Sequence, residues 1–213
     1  MDQITEAIMG FVMANGRLPC PANRATANGA AGAGTELLAG NVCSSYTGVI
    51  PWVTLGVPET DEWGGRFTYR VTSKFATAIA GATYPCAPAV TPTQASFALC
   101  ETGDMQVQSR TTAKAIYNMT NATVPAVFIS HGKNGRGAYG PQGTLLSAVP
   151  AASVDETANA TPGTIFYSRE KTEESSSCSD TAGATPMCEF DDVVAFVPLT
   201  TLMNRMVVSG KLP

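Results

Sequence analysis

The chain of 213 residues carries a single histidine. His131 lies in Ser130-His131-Gly132-Lys133-Asn134-Gly135-Arg136-Gly137, directly after an apolar run. A serine works as a nucleophile beside histidine only when its hydroxyl is within hydrogen-bond reach of the imidazole. Neighbouring residues on an extended strand point to opposite faces, which sets Ser130 against His131. A Gly-x-Ser-x-Gly elbow, the sequence mark of an α/β-hydrolase nucleophile, does not occur. Lys133 and Arg136 could draw an anion, but their spacing is not the Gly-x4-Gly-Lys-Ser/Thr of a phosphate loop. The segment therefore reads first as a glycine-rich structural turn. Its second reading is a ligand or partner loop formed by His131, Lys133, Asn134 and Arg136.

Two acidic pairs, Glu173-Glu174 and Asp191-Asp192, could each lend oxygens to calcium, which takes six to eight of them. No Asp-x-Asp-x-Asp-Gly pattern accompanies either pair. Glu173-Glu174 reads as solvated charge and Asp191-Asp192 as the entry to a strand, and no residue is assigned as a metal ligand. Six cysteines with one histidine and no Cys-x-x-Cys argue against zinc. Fifteen pairings are open to six cysteines. The sequential one, Cys20–Cys43, Cys86–Cys100 and Cys178–Cys188, is favoured because each pair brackets a Gly-, Pro- or Ser-rich stretch without a periodic core pattern. Disulfides imply an oxidising compartment. The first residues show neither a basic region nor a continuous apolar run of the signal-peptide kind. The expectation is that the natural N-terminus lies further upstream and that Met1 is an introduced start.

Charged residues make up 14% of the chain and the net charge is -4. No basic footprint exists for a nucleic-acid partner. The length suits one large domain.

The elements that must position these residues follow from periodicity. Ile4, Ala7, Ile8, Phe11 and Val12 share one helical face, widened by Met9 and Met13. Asn15-Gly16 stops that helix. Ile4, Ile8 and Phe11 are the expected packing residues against a sheet. Pro51 keeps the Val49–Val57 run from a central strand position, and Trp52 reads as a core plug. From Arg66 to Ser73 the pattern alternates, with Phe67, Tyr69 and Val71 on one face of a half-buried strand. Lys74 to Ala82 suggests a short helix. Met105 to Thr112 alternates with Val107 inward and Gln106, Gln108 and Arg110 outward. Ala126–Ile129 suggests a central strand, Thr164–Tyr167 another, and Val193–Val197 the last. Lys171 to Ala184 reads as a solvated loop. Leu199, Leu202, Met203, Met206 and Val207 form a second helical stripe, capped by Ser209-Gly210. The fold class is α+β: an N-terminal helix packed on an antiparallel sheet of about four or five strands, long disulfide-tied loops and a C-terminal helix. Within this single domain, residues 1–16 are a spine helix, 17–65 a long loop region, and 66–213 the sheet, loops and C-terminal helix.

Asp61-Glu62-Trp63-Gly64-Gly65-Arg66-Phe67-Thr68-Tyr69 resembles the Asp-Pro-Trp-Gly-Asn-Pro-Tyr-x-Tyr stretch of type II secretion pseudopilins, relatives of the type IV pilins. There the stretch turns the chain from a long loop into the first strand of the sheet. Gly16-Arg17-Leu18-Pro19-Cys20-Pro21, Pro51-Trp52-x-x-Leu55-Gly56, Ser130-His131-Gly132-Lys133-Asn134-Gly135 and Gly210-Lys211-Leu212-Pro213 are similar to a group of minor prepilin-like proteins of Gram-negative bacteria. The resemblance implies a pilin-like, non-enzymatic subunit without a cofactor. It further implies a leader cut by a prepilin peptidase, then an apolar helix that anchors the subunit in the inner membrane. That helix later contacts other pilin or pseudopilin subunits in the fibre core, which places the protein in the periplasm or an extracellular fibre. The family's calcium loop is not matched. A secreted adhesin or carbohydrate-binding module that never polymerises is the alternative, and an exported hydrolase using His131 a further one.

Overall fold

A computed structural model describes residues 1–86, 92–181 and 183–212. Pro213 of the terminal Gly-Lys-Leu-Pro motif and Ala182 of the solvated loop lie outside the described residues. Helix α1 spans Asp2–Asn15 and ends at Gly16, whose φ of 70° is the left-handed cap conformation that glycine adopts at little cost. A Cβ at Gly16 would also sit 2.0 Å from the Gln94 carbonyl oxygen, so the chain crosses here at a distance only glycine permits. The residues buried on α1 are Ile4, Ile8, Met9 and Val12. Phe11 is a correction to the expected set. Its ring is half-buried and lies under the Arg17 guanidinium, 5.2 Å from the centroid. The buried stripe is rotated toward Met9, the residue expected only to widen it.

The long loop region is more structured than its composition suggests. Strands β1 (Leu38–Ala39) and β2 (Val42–Cys43) form a short hairpin, and β3 (Thr47–Val49) joins the main sheet. Helix α2 (Trp52–Leu55) follows Pro51, which lacks the N–H a continuing strand would need. The chain then runs through β4 (Thr68–Val71) into α3 (Ser73–Ala76). Only the first three residues of the expected Lys74–Ala82 helix are α-helical. Thr77 is extended, and a 3-10 turn covers Ile79–Gly81.

Strands β5 (Gln106–Arg110), β6 (Ile116–Asn118), β7 (Ala126–Ser130), β8 (Ile165–Tyr167) and β9 (Val193–Val197) complete the sheets, with α4 (Val154–Ala160) ahead of β8 and α5 (Leu199–Val208) after β9. Among the described residues the strands divide into three sheets rather than one. The main sheet has the order β3-β4-β7-β9, antiparallel throughout. The second has the order β6-β5-β8, in which β5 and β8 run parallel. The hairpin is the third.

Strand β7 is buried at every position because both of its faces are covered. Ala126 and Phe128 point into a large cluster with Tyr69, Val71 and Val197, which also takes in Ile4, Ile8, Met9 and Val12 of α1 and Leu202 and Met206 of α5. Val127 and Ile129 point the other way and pack with Met105, Val107, Val124 and Phe166. The half-buried reading of β4 is corrected: Thr68 and Thr72, on the face opposite Phe67, Tyr69 and Val71, are buried as well.

The three sequential disulfides are formed: Cys20–Cys43, Cys86–Cys100 and Cys178–Cys188. They are consistent with an oxidising, extracytoplasmic compartment. Among the described residues no helix is long and apolar enough to cross a membrane.

Candidate functional site

Strand β7 delivers Ser130 and His131 to the end of the main sheet, where polar side chains from five segments converge. Ser130 Oγ donates to Asp61 Oδ2 at 2.6 Å. Asp61 Oδ1 in turn accepts the backbone N–H groups of Trp63 (3.0 Å) and Gly65 (2.9 Å). The turn ahead of β4 is thus clamped onto the end of β7, which explains why an aspartate opens the Asp61–Arg66 stretch.

His131 is fully buried. Its Nε2 lies 2.8 Å from the Thr68 hydroxyl and its Nδ1 3.3 Å from Asp192 Oδ1. A carboxylate only accepts, so Nδ1 donates to Asp192, while Nε2 shares a hydrogen bond with the Thr68 hydroxyl. Asp192 Oδ2 accepts from Asn159 Nδ2 at 2.8 Å, and Asn159 Oδ1 accepts the Tyr167 N–H at 2.9 Å. The histidine therefore cross-links β7, β4, α4, β8 and the start of β9. Ser130 and His131 have different partners, in keeping with their opposite directions along the strand.

The turn beyond His131 faces a cluster of carboxylates. Gly132 has φ 58°, and a Cβ there would lie 2.4 Å from Asp191 Cγ, so this position admits only glycine. The Asn134 N–H donates to Asp191 Oδ2 at 3.0 Å, and Asn134 Nδ2 to Glu156 Oε1 at 2.8 Å. Arg136 reaches Glu189 at 2.7 Å, Glu174 at 3.3 Å and, more distantly, Glu156 Oε2 at 3.6 Å. Glu156, Asp191 and Asp192 each offer one oxygen within 4.8 Å of the others. Glu156 Oε2 and Asp191 Oδ1 are buried without a hydrogen-bond partner. Burial, reinforced by Asp192 and Asp191, pushes the Glu156 carboxyl up to about 7 against the opposing pull of Asn134 and Arg136.

A second buried network lies behind α4. Arg110 grips Asp155 through Nε and Nη2, the latter at 2.7 Å. Arg169 bonds Asp155 at 2.9 Å and Asp180 at 3.1 Å, and Asp180 accepts the Cys188 N–H at 3.1 Å. Arg110, expected to face outward, is instead 7% exposed and lies over the Tyr167 ring. Alternation assigned it to solvent because a lone arginine belongs there. Paired with a buried aspartate, it belongs inside.

Of the expected ligand loop, His131 is sealed from solvent, Asn134 and Arg136 are half-buried and committed to carboxylates, and Lys133 is exposed. Ile4 and Ile8 lie in the core, away from this cluster. Glu156, Asp155 and Asn159 were not singled out by sequence reasoning, because α4 reads VDETANA and has no apolar stripe. The available signal was Ser153-x-x-Glu156, the spacing of a helix-start capping box. The Ser153 side chain makes no cap bond here.

Beside the clamp, Met1, Ile4, Pro58, Asp61, Trp63 and Phe67 border a surface groove of about 440 Å³. Trp63 is 48% exposed there. A neighbouring cavity of about 370 Å³ touches Lys133, Asp191, Asp192 and Trp63. The chain matches no protein-family model, no curated protein and no solved structure in comparisons with known proteins.

Proposed function

We propose that this chain is the extracytoplasmic head of a structural subunit of a bacterial type IV pilus or type II secretion pseudopilus. In this reading α1 is the lower part of a longer helical spine, and the apolar helix above it anchors the subunit and packs against its neighbours. What supports the reading is the cluster of buried residues that α1 shares with the main sheet. An amphipathic helix at the start of the chain places Ile4, Ile8, Met9 and Val12 in one cluster with side chains of β4, β7 and β9. A helix of 14 residues is marginal alone, so this shared core holds it in register with the head. The motif positions support the same reading. Asp61–Gly65 turns the chain toward β4, although β3 already precedes it in the sheet. Burial of His131 between Thr68 and Asp192 favours a scaffolding role over a hydrolytic one.

The exposed Trp63 beside Asp61 and Glu62 favours the second reading, a secreted carbohydrate-binding adhesin, since aromatic faces next to carboxylates suit sugar rings. Determining the N-terminal sequence of the protein isolated from its source separates the two. A fibre subunit carries about twenty apolar residues directly ahead of α1 and sediments with sheared surface filaments. Recovery as a soluble monomer lacking that apolar run would overturn the fibre reading.

A further inference from the structure

We propose that Glu156, Asp191 and Asp192 bind one divalent cation of the hard, oxygen-seeking class, with calcium favoured over magnesium. The three carboxylates come from two elements, α4 and the segment entering β9, and are brought together by the turn at Gly132. Two oxygens held at about 2.3–2.6 Å from calcium sit no more than about 5 Å apart. The separations here stay within 4.8 Å and so meet that limit.

An acidic cluster alone would not suffice. The second observation is that Glu156 Oε2 and Asp191 Oδ1 are both buried and both lack a hydrogen-bond donor. Glu156 is itself fully buried. The remaining oxygens are already held in place: Glu156 Oε1 by Asn134 Nδ2, Asp191 Oδ2 by the Asn134 N–H, and Asp192 by His131 and Asn159. Each carboxylate is therefore oriented by one set of bonds while Glu156 and Asp191 keep an open oxygen, the relation between metal ligands and the groups that orient them. Arg136 Nη1 stands 3.6 Å from Glu156 Oε2, an ion pair beyond hydrogen-bond distance, and its closer contacts are with Glu189 at 2.7 Å and Glu174 at 3.3 Å.

The cavity beside Asp191 and Asp192, lined also by Lys133, Arg169 and Lys171, gives room for water on the side of the two aspartates. Calcium tolerates such a mixed, irregular shell, whereas magnesium demands near-octahedral geometry at shorter distances. Bound there, the ion would tie α4 to the start of β9.

Isothermal titration of chelator-treated protein with calcium chloride tests the site, read alongside thermal melting. The expected result is one ion per chain at pH 8, a rise in Tm on adding calcium, weaker binding at pH 5.5 as the carboxylates protonate, and weaker binding of magnesium chloride. Glu156→Gln and Asp191→Asn, confirmed folded by circular dichroism, should each lose at least about tenfold in affinity. Absence of heat and of any Tm shift in the unsubstituted protein at millimolar calcium overturns the proposal. So does unchanged affinity in both variants. If one variant fails to fold, the other and the unsubstituted protein still decide the matter.

Discussion

Replacing Arg66 with methionine should cost about 3–5 kcal/mol, the range for breaking a buried ion pair by removing one partner. The side chain of Arg66 is fully buried. Its Nε and Nη2 donate to Glu59 Oε1 at 3.0 and 2.7 Å. Nη1 donates to the carbonyls of Arg24 and Thr26 at 2.9 and 2.8 Å, and Nη2 also donates to that of Pro141 at 3.0 Å. The guanidinium lies 4.6 Å from the centre of the Trp52 ring. Methionine fills much of the volume but supplies none of these donors. It leaves three carbonyls and a carboxylate that is 15% exposed to find water or go unsatisfied. Glu59→Gln should cost less, about 1–2 kcal/mol, since Arg66 keeps its carbonyl partners. The double variant should therefore be more stable than the sum of the single losses predicts, by coupling of about 0.5–3 kcal/mol. Urea unfolding followed by tryptophan fluorescence measures all three, and limited proteolysis of residues 23–34 reports whether the loop has been released. An Arg66→Met protein within about 1 kcal/mol of the parent, with that loop still resistant, would refute the claim that one cation organises it.

The stripe on α1 makes a second prediction. Ile8→Ala, at a fully buried site, should cost about 2–5 kcal/mol, whereas Phe11→Ala should cost clearly less because the ring is half-buried under Arg17. Equal losses in denaturant titrations of the two would contradict the observed rotation of the buried face. The third concerns pH in the presence of chelator. Glu156 binds its proton up to about pH 7 in the folded state and only to about 4.5 when unfolded. The folded state thus holds the extra proton between these values, and stability falls as pH rises through that window. The loss approaches about 3 kcal/mol above pH 7. Glu156→Gln removes this slope, so the variant should overtake the parent at pH 8 but not at pH 4.5. Unfolding free energies at three pH values check the crossing.

Where periodicity controls burial, the chain was readable. The stripe and glycine stop of α1, the apolar β7, the β9–Pro198–α5 sequence and the cysteine spacing all translate directly into structure. Alternation, however, reports only that a strand has two faces, not which sheet receives it. Met105 to Thr112 and Thr164 to Tyr167 were read into one antiparallel sheet, yet β5 and β8 pair in parallel in a separate layer. On β4, whose alternation reads as half-buried, Thr68 and Thr72 of the opposite face are buried as well. The same limit hides the acidic site: Glu156 lies in a helix held by polar bonds rather than by an apolar stripe, so no hydrophobic pattern announces it.

The sparse charge of the chain follows from how its loops are held. Only 14% of residues are charged, and many of the arginines turn inward. Arg17 grips Glu36, Arg66 grips Glu59, and Arg110 and Arg169 share Asp155. Each of these four guanidiniums also lies over an aromatic ring: Phe11, Trp52, Tyr167 and Phe190 respectively. The segments so fastened are rich in Ala, Gly, Ser and Thr and have little apolar area to bury. A planar cation that stacks on a ring and donates in several directions can fix such a segment where a leucine could not. Surface ion pairs would be screened by salt and contribute little, but these are withdrawn from solvent. Removing either partner leaves an uncompensated charge inside.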